Sequence, residues 1–476
     1  MLSLLLFASL SWAQSSTSPT QSFLSAPDLH PPDLSVNKSG AALAPGVLFV
    51  TTLSDGPVIM TDSGDLVWNG PQGHATNLLN RTGSNVRRGY GQVNILNTNY
   101  TQLYTICPNI SLMTTTGLST GCSVDLHESL VTSRGTILCT AVNVTNADLT
   151  SVGGPSDGWI YDSMLMEIDI KTNDVLFMWS PLKAGIPINS TKQALSSSGT
   201  SQSNPFDWFH MNSVTILNDG YLANSRHTWS SYAVDSKGEL QWTLEGSTGG
   251  DFALPSAANF VSPPVSRVPS VTVLTRRQSW QHHVRVENVT SGSLVLHMFN
   301  DMNASGDLPS NGLDLHLDLD QRNVTILKIY IDPRDKIATT SQGSYDVLGN
   351  GNVLLGYGNV DYIKEFGPEG DVRMSISGAA SYRAYRAVWD ATPVEYAPNT
   401  TAVGEEGWVS WNGDTRTTKW LVYAGASNKS LTQVGEVART GFETKYSLPS
   451  GVAWVQVGAF AGDTPLRNSS VVPISN

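Results

Sequence analysis

Charged residues are scarce in this 476-residue chain, and their scarcity narrows the range of functions. Lys, Arg, Asp and Glu together make up 14% of the residues, and the formal net charge is −12. A nucleic-acid partner requires a basic face for the phosphate backbone, so we predict no such partner. Gly, Ser, Thr and Asn are abundant instead, a composition that favours an all-β secreted protein.

Long apolar runs are also missing. The run from Leu2 to Leu10 is too short to span a bilayer, and no other stretch approaches ~20 apolar residues. We predict a signal peptide over residues 1–13, then a mobile Ser/Pro-rich segment over residues 14–40. The mature chain is expected to have no membrane span and to be secreted or to lie in the lumen of the secretory pathway.

Cysteine is rare, with three residues in the chain. Cys107 and Cys122 flank a Thr/Gly-rich loop and can form a disulfide, whereas Cys139 lies in an apolar strand and is expected as a buried thiol. Twelve Asn-x-Ser/Thr sequons agree with export, because glycosylation places such residues at the surface. The sequon asparagines are Asn37, Asn80, Asn99, Asn109, Asn143, Asn189, Asn288, Asn303, Asn323, Asn399, Asn428 and Asn468.

A recurring order of strand, tight turn and strand predicts the fold. Residues 214–242, "VTILNDGYLANSRHTWSSYAVDSKGELQW", contain four β-rich runs separated by an Asp-Gly turn, a gap and a Lys-Gly turn. Units of this kind repeat every ~40–50 residues, which indicates a β-propeller with room for six or seven blades. We predict a six-bladed propeller over residues 41–395, with no amphipathic helix interrupting it.

The segment after the predicted propeller has a different pattern. Residues 396–476 contain short alternating strands such as "VAWVQVGAFAG". This pattern favours a small β-sandwich resembling a fibronectin type III module. The predicted fold class is therefore an all-β propeller followed by a C-terminal sandwich.

Histidines concentrate at predicted strand ends. Five of the nine fall in three short runs, "VDLHESL", "DWFHMNSVTILNDGYLANSRH" and "SWQHHVRVE". Because the inner strands of all blades line one channel, we predict that these residues meet at its mouth. Two alternatives are open: each histidine bonds a neighbouring loop, or several ligate a metal ion. The runs contain no compact H-x-H or H-x-x-x-H unit, so we predict no metal.

Imidazoles grouped with an arginine suit the transfer of a charged group. One imidazole can attack sulfur or phosphorus, a second can deprotonate the acceptor, and arginine stabilises the transferring oxygens. No G-x-x-x-x-G-K-[ST] loop is present, so neither a nucleotide donor nor a cofactor is predicted. Adjacent strand residues face opposite sides, and we favour Arg226 over His227 and His282 over His283 as the inward members of their pairs.

The motifs "DLHE", "FDWFHMNSV", "NSRH" and "QHH", in this order, resemble the arylsulfotransferase family over residues 45–390, and its eukaryotic, chiefly fungal, branch most closely. Bacterial members are six-bladed propellers that move a sulfuryl group between phenols through a sulfated histidine, without a nucleotide donor. The resemblance implies His282 as the nucleophile and His210 with Arg226 as the groups that hold the sulfuryl oxygens. It implies that His127 binds the sulfate or relays the acceptor proton.

Further residues near the motifs are predicted to contact the small-molecule substrate. They are Asn212, which is expected to support His210, together with His227, His283, Trp208 and Trp280. Two other functions are open. A same-fold cyclase or isomerase would act on a polyketide- or terpenoid-like precursor by histidine acid/base chemistry in an apolar, aromatic pocket. A non-catalytic secreted binding protein would not need the histidines. The insertion at 261–277 is longer than the family pattern.

Overall fold

We analysed a computed structural model that describes residues 19–52, 56–71, 91–119, 121–254, 279–302 and 308–475. The predicted signal peptide, the insertion at 261–277, and the sequon residues Asn80 and Asn303 lie outside the described residues. The described residues form 34 β-strands and two short 3₁₀ helices, Thr150–Val152 and Ile188–Ser190. Among them no helix has the length and apolarity needed to cross a membrane.

Twenty-six strands precede residue 390. In chain order they are β1 (Ser35–Lys38), β2 (Val47–Thr52), β3 (Gly56–Met60), β4 (Leu66–Asn69), β5 (Val93–Leu96), β6 (Gln102–Ile106), β7 (Met113–Thr114), β8 (Gly117–Leu118), β9 (Ser129–Val131), β10 (Thr136–Ala147), β11 (Gly158–Asp169), β12 (Val175–Trp179), β13 (Met211–Leu217), β14 (Gly220–Ser225), β15 (Ser230–Val234), β16 (Leu240–Glu245), β17 (Gly249–Gly250), β18 (His282–Glu287), β19 (Ser293–Asn300), β20 (Asn311–Asp318), β21 (Asn323–Tyr330), β22 (Ser344–Val347), β23 (Val353–Gly356), β24 (Tyr362–Phe366), β25 (Val372–Ser377) and β26 (Tyr385–Ala387).

Most of these strands form five antiparallel sheets of four or five strands, which are the blades of a propeller. Blade 1 has the order β26-β2-β3-β4, blade 2 is β9 to β12, blade 3 is β13 to β17, blade 4 is β18 to β21, and blade 5 is β22 to β25 with β1 outermost. The inner strands contact their neighbours, as β13 does with β18, β18 with β22, and β22 with β26. The ring closes in blade 1, where β26 pairs with β2.

A two-stranded hairpin, β5–β6, lies between blades 1 and 2. Tyr100 in its turn stacks on Trp68 of blade 1, with ring centroids 4.9 Å apart, while Val93 packs in one cluster with Cys139 of blade 2. Residues 72–90, which precede this hairpin, lie outside the described residues, so the count of six blades stays a prediction. The structure pairs Cys107 with Cys122 directly after the hairpin and leaves Cys139 buried as a thiol.

The N-terminal segment differs from the expectation of a mobile chain over residues 14–40. Residues 35–38 form β1, which pairs in register with β25 at the outer edge of blade 5. Ala26 is buried in the core that blades 1 and 5 share. The Ser25 amide donates a 2.6 Å hydrogen bond to Glu443 of the C-terminal domain. Amino-acid composition did not predict this ordered structure, because the residues with which the segment pairs lie more than three hundred positions away in the chain.

The C-terminal strands are β27 (Asn399–Val403), β28 (Glu406–Ser410), β29 (Lys419–Ser427), β30 (Ser430–Ala438), β31 (Glu443–Ser447), β32 (Trp454–Ala461), β33 (Thr464–Asn468) and β34 (Val472–Pro473). They form a sheet β27-β28-β31 and a sheet β30-β29-β32-β33, with β34 on β32. One core around the buried Trp411 and Trp420 draws residues from both sheets, so the two sheets form a β-sandwich. Its likeness to a fibronectin type III module stays a prediction.

Candidate active site at the mouth of the channel

The predicted catalytic residues stand at one end of the inner strands. His127 precedes β9 by two residues, His210 directly precedes β13, and His282 is the first residue of β18. Arg226 directly follows β14, which is antiparallel to β13, and its amide donates to the His210 carbonyl at 3.0 Å. The strand ends therefore bring three blades together at the mouth of the channel.

Ring distances show how tightly the side chains group. The ring centroids of His127 and His210 are 4.7 Å apart, and those of His210 and His227 are 4.6 Å apart. The Tyr382 ring lies between, 5.9 Å from His127 and 6.4 Å from His282. We call His127, His210, Arg226, His227 and His282 the mouth cluster.

Three histidines of the mouth cluster share one arrangement, in which an aspartate oxygen lies within hydrogen-bond distance of Nδ1. The pairs are His127 with Asp125 at 2.6 Å, His210 with Asp207 at 2.6 Å, and His282 with Asp301 at 2.7 Å. Such a carboxylate favours the tautomer with the proton on Nδ1, and it leaves a lone pair on Nε2. In His282 this Nε2 accepts a hydrogen bond of 3.2 Å from the Gln342 amide, which agrees with that tautomer.

Burial keeps the imidazoles of His210 and His282 neutral. It lowers the pKa of His210 to about 4, although the neighbouring Asp207 acts in the opposite direction. Burial also lowers the pKa of His282 well below its ordinary value, and the positive charge of Arg226 adds to the effect. Neutral imidazoles are the form that attacks an electrophile or accepts a proton.

Arg226 supplies the positive charge of the mouth cluster. Its Nη2 donates to the Thr340 carbonyl at 2.8 Å, its Nη1 donates to Nε2 of His227 at 2.7 Å, and its guanidinium lies 4.9 Å from the Trp280 ring centroid. Its buried Nε has no hydrogen-bond partner within the described part of the chain. No carboxylate of that part comes within ion-pair distance of the guanidinium. A half-buried guanidinium in this state is suited to an anionic ligand.

A cavity of about 510 Å³ is lined by three residues of the mouth cluster, His210, Arg226 and His227, whereas His127 and His282 do not line it. The Ser-rich residues 193–198 form part of its wall. This segment is tied to the cluster because the Lys192 amide donates to the His227 carbonyl at 2.6 Å. Its polar side chains give the cavity a wall rich in hydroxyl and amide groups.

A buried ion cluster lies under the mouth. Glu128 is fully buried and pairs with Arg383 at 2.8 Å and with Arg285 at 2.9 Å. Arg383 also donates to the carbonyls of His127 and Asn212 at 2.8 and 2.9 Å. The two arginines lower the pKa of Glu128 to about 2 against the effect of burial. These bonds join blades 1, 2, 3 and 4 and hold the backbone of His127 in place.

Sequence comparison identifies the protein family. The model of the arylsulfotransferase (ASST) family matches residues 50–263 and 271–379, well over half of the chain. The chain belongs to the arylsulfotransferase family. All residues of the mouth cluster lie within the matched ranges. The likeness to the eukaryotic branch stays a prediction, and no curated protein matches the chain.

Solved structures show only remote likeness to this arylsulfotransferase-family chain. A protein of unknown function from Bacteroides caccae is 11% identical, with 72% of this chain and 98% of that chain covered and a TM-score of 0.38. A mutant of the GH43 protein BlXynB from Bacillus licheniformis is 8% identical, with 92% and 91% covered and a TM-score of 0.28. A streptogramin B lyase is 9% identical, with 71% and 87% covered and a TM-score of 0.22. Scores this low carry no argument about function.

Two residues predicted to contact substrate in this arylsulfotransferase-family protein are instead structural. Trp208 is fully buried in the core between blades 2 and 3. Asn212 is also fully buried, and its Nδ2 donates to the Gln281 carbonyl at 2.8 Å. It therefore connects blade 3 to the residues before β18 and does not support His210. Aromatic and amide residues beside a strand start can serve packing as readily as a ligand, and periodicity does not separate the two.

The two adjacent pairs behave differently. Arg226 and His227 both line the 510 Å³ cavity, because residues 226–229 form a turn in which the alternation of a strand does not apply. His283 lines a separate cavity and accepts a hydrogen bond from the Tyr345 amide at 3.1 Å. His227 thus lines the same cavity as Arg226, His283 lines the other cavity, and the buried His282 lines neither of the two. The Trp280 ring packs against the Arg226 guanidinium.

Asp207, His210 and His227 place potential metal ligands within 4.8 Å of one another. The donors do not fit a cation, however. His227 Nδ1 lies 2.5 Å from the Asp207 carbonyl, and its Nε2 accepts from Arg226, so neither ring nitrogen is open. The adjacent guanidinium would also repel a metal ion.

The three aspartates and Tyr382 were not among the residues predicted for the site. Asp125 and Asp207 precede their histidines by two and three residues, a spacing visible in the sequence. Asp301 follows His282 by nineteen residues and reaches it only because β18 and β19 form a hairpin. The pairing of Glu128 with Arg383 was also not predicted, since 255 residues separate the two.

Proposed function

We propose that this arylsulfotransferase-family protein transfers a sulfuryl group between phenolic compounds through a histidine, without a nucleotide donor. The observation that carries the proposal is the half-buried Arg226, whose buried Nε has no hydrogen-bond partner and whose guanidinium has no carboxylate partner in the described residues, and which stands beside the neutral imidazoles of His210 and His282. A sulfate ester would supply a negative charge to pair with this guanidinium. In the transition state, that charge is spread over the equatorial oxygens of the sulfuryl group. Family membership supports a transferase.

In the first step, Nε2 of His282 attacks the sulfur atom of an aryl sulfate. The nitrogen–sulfur bond forms as the bond from sulfur to the phenolic oxygen breaks, and the first phenol leaves as phenolate. Nδ1 of His282 keeps its proton and donates it in a hydrogen bond to the Asp301 carboxylate, which stabilises the positive charge that forms on the sulfated ring. The long hydrogen bond from the Gln342 amide to Nε2 gives way to the sulfur atom.

In the second step, the oxygen of an acceptor phenol attacks the same sulfur atom. The nitrogen–sulfur bond breaks, and His282 returns to its neutral state. His127 takes the proton of the acceptor hydroxyl through Nε2, because Asp125 occupies its Nδ1. That proton balances the phenolate released in the first step. His210 and Arg226 hold the sulfuryl oxygens throughout.

The wall of the cavity favours substrates that carry hydroxyl or carbonyl groups. Ser196 and Ser197 are exposed, and their hydroxyl groups make no hydrogen bond within the described residues. The cyclase or isomerase alternative expects an apolar, aromatic pocket. Trp208 and Phe209, two of the aromatic residues nearest the motifs, are instead fully buried in the core. The cavity thus supports the transferase proposal better than that alternative.

The test is incubation of the purified full chain with a chromogenic aryl sulfate and a phenol acceptor. We expect release of the chromogenic phenol, and intact-protein mass spectrometry in the absence of acceptor should show one sulfuryl adduct. His282→Ala should abolish both signals. His316→Gln, a histidine of β20 outside the mouth cluster, serves as the matched control. A wild-type protein that is inert and forms no adduct with a broad set of donors would contradict the proposal.

We also propose that the protein is exported. A disulfide between Cys107 and Cys122 is typical of an oxidising compartment. Of the ten sequon asparagines in the described residues, none is fully buried, so glycans could attach without unfolding the domain. Treatment of the secreted protein with an endoglycosidase should therefore increase its electrophoretic mobility.

A further inference from the structure

A second cavity, of about 370 Å³, lies farther along the same inner strands. Its lining includes Ser129, Arg285, Asp346 and Tyr385. Ser129 follows His127 by two residues, and Arg285 follows His282 by three. At about 3.3 Å per strand residue, these positions lie roughly 7–10 Å beyond the mouth. We call this space the far cavity.

The far cavity is separate from the mouth. The fully buried Glu128 and Arg383 fill the space between them and bond to three inner strands. Within the described part of the chain, no residue lines both the far cavity and the 510 Å³ cavity at the mouth. A ligand of the far cavity therefore does not need to pass through the catalytic space.

Every arginine near the far cavity is already matched by a carboxylate. Arg285 pairs with Glu128 at 2.9 Å. Arg386 directs its guanidinium away, to Asp62 at 2.5 Å and Glu365 at 3.2 Å. Because both arginines already pair with carboxylates, neither offers an unpaired positive charge to an anionic ligand.

The histidines of the far cavity do not add an uncompensated positive charge. His297 lies between two carboxylates, Asp314 at 2.8 Å and Glu287 at 3.1 Å. The pKa of His283 is lowered well below its ordinary value by burial and by the neighbouring arginines. Its Nδ1 accepts from the Tyr345 amide, so the ring is neutral.

Asp346 is the carboxylate without a matching cation. Its Oδ2 accepts one hydrogen bond, from the Arg386 amide at 3.2 Å, and Oδ1 has no partner in the described residues. Burial raises the pKa of Asp346 to about 6, although Arg285 acts in the opposite direction. Asp346 is half-buried, and partial removal of a carboxylate from water without a cationic partner raises its free energy. A bound cation would remove this cost.

The remaining walls indicate the kind of cation. Leu130, Val286 and Val347 provide aliphatic surface, and Tyr345 and Tyr385 provide aromatic rings. Aromatic faces attract organic cations. A calcium ion would require six to eight oxygen ligands, which a wall of this composition does not offer.

We propose that the far cavity binds a small organic cation, with its ammonium group on Asp346 and its carbon frame against Tyr345 and Tyr385. The site does not depend on the sulfuryl-transfer proposal. Occupancy would match the one carboxylate of the far cavity that lacks a counter-charge.

Isothermal titration of the full chain at about pH 7.5, where Asp346 is ionised, tests this site. The probes are 2-phenylethylamine and its neutral analogue 2-phenylethanol, which share one carbon frame. We expect the amine to bind at least about tenfold more tightly than the alcohol. Asp346→Asn keeps the acceptor for the Arg386 amide but removes the charge, and it should weaken amine binding by at least about tenfold. Arg226→Met at the mouth should leave amine binding unchanged.

A second variant distinguishes loss of the binding site from a folding defect in Asp346→Asn. Val347 is 41% exposed at the rim of the far cavity, so Val347→Trp should block the entrance without disturbing the core. Loss of amine binding in both variants, with melting temperatures near that of the wild type, would support the site. Equal binding of amine and alcohol, no binding of the amine, unchanged binding in both variants, or binding of calcium alone would overturn it.

Discussion

The two ends of the propeller channel carry half-buried charges of opposite sign for which the described residues supply no oppositely charged partner. At the mouth, Arg226 has no carboxylate within ion-pair distance in the described residues; at the far cavity, Asp346 has no cation. Between them, Glu128 and Arg383 neutralise each other and are fully buried. The comparison indicates that matched, fully buried charges hold the blades together, whereas single, half-buried charges mark places for a ligand.

Desolvation explains this difference. A buried ion loses several kcal/mol of hydration, which a well-placed partner can offset. In the buried ion cluster the partner is another side chain, and the pair is complete in the folded protein. At the two cavities no described residue supplies the partner, and the residual cost is visible as shifted pKa values for Asp346 and for the histidines beside Arg226.

The largest effect on stability is expected from breaking the matched pair. Arg383→Met leaves Glu128 with Arg285 as its remaining cation, and we expect the free energy of unfolding to fall by about 3–5 kcal/mol. Urea denaturation followed by tryptophan fluorescence measures the change. Arg416→Met, which breaks an exposed pair with Asp390, is the control and should have little measurable effect. Equal losses in the two variants would contradict the structural role of the buried pair.

The next effect concerns catalysis at the mouth. Arg226→Met should lower kcat/KM for aryl sulfate transfer by about 10²–10³-fold, equivalent to about 3–4 kcal/mol, because it removes charge stabilisation of the transition state. Steady-state kinetics with a chromogenic donor measures it. Arg226→Lys keeps the charge but not the planar contact with Trp280, so we expect an intermediate rate. Wild-type activity in Arg226→Met would show that Arg226 takes no part in the reaction.

His210 at the mouth should lower the free energy of unfolding as the pH decreases. His210 has a folded pKa of about 4, against about 6.5 in the unfolded chain. Between these values the unfolded state binds a proton that the folded state does not, so stability falls as pH decreases, by up to about 3 kcal/mol. His210→Gln should reduce this dependence when the free energy of unfolding is compared at about pH 7 and pH 4.5. An identical pH dependence in wild type and variant would exclude His210 as its source.

Asp346 in the far cavity should make the free energy of unfolding depend on pH in the opposite direction. Asp346 has a folded pKa of about 6, above its unfolded value of about 3.9, so the folded state holds a proton that the unfolded state releases. Its contribution to stability is therefore lost as pH rises from about 4 to 6. Asp346→Asn should make the protein more stable than wild type by about 1–2 kcal/mol at about pH 7.5, and less so at pH 4.5. A destabilised variant at the higher pH would indicate that Asp346 is already matched.

Local sequence patterns predicted the hairpin of blade 3 well. The Asn-Asp-Gly run predicts a tight turn; β13 ends at Leu217, which pairs with Gly220, and Asn218 adopts the left-handed backbone that this turn needs. The same patterns predicted polar residues at the strand starts. They failed for Trp208 and Asn212, because burial depends on which blade packs against them.

The amino-acid sequence by itself determined the strands, the turns and the positions of the histidines along the chain, because these depend on side-chain period and turn chemistry over a few residues. Tertiary structure alone decided that Asp301 holds His282, that Arg383 neutralises Glu128, and that no described residue pairs with Arg226 or Asp346 as an opposite charge. Those outcomes depend on how blades distant in the chain meet around the channel. Charge matching at the centre of a propeller is a property of the closed ring, and a single blade does not contain it.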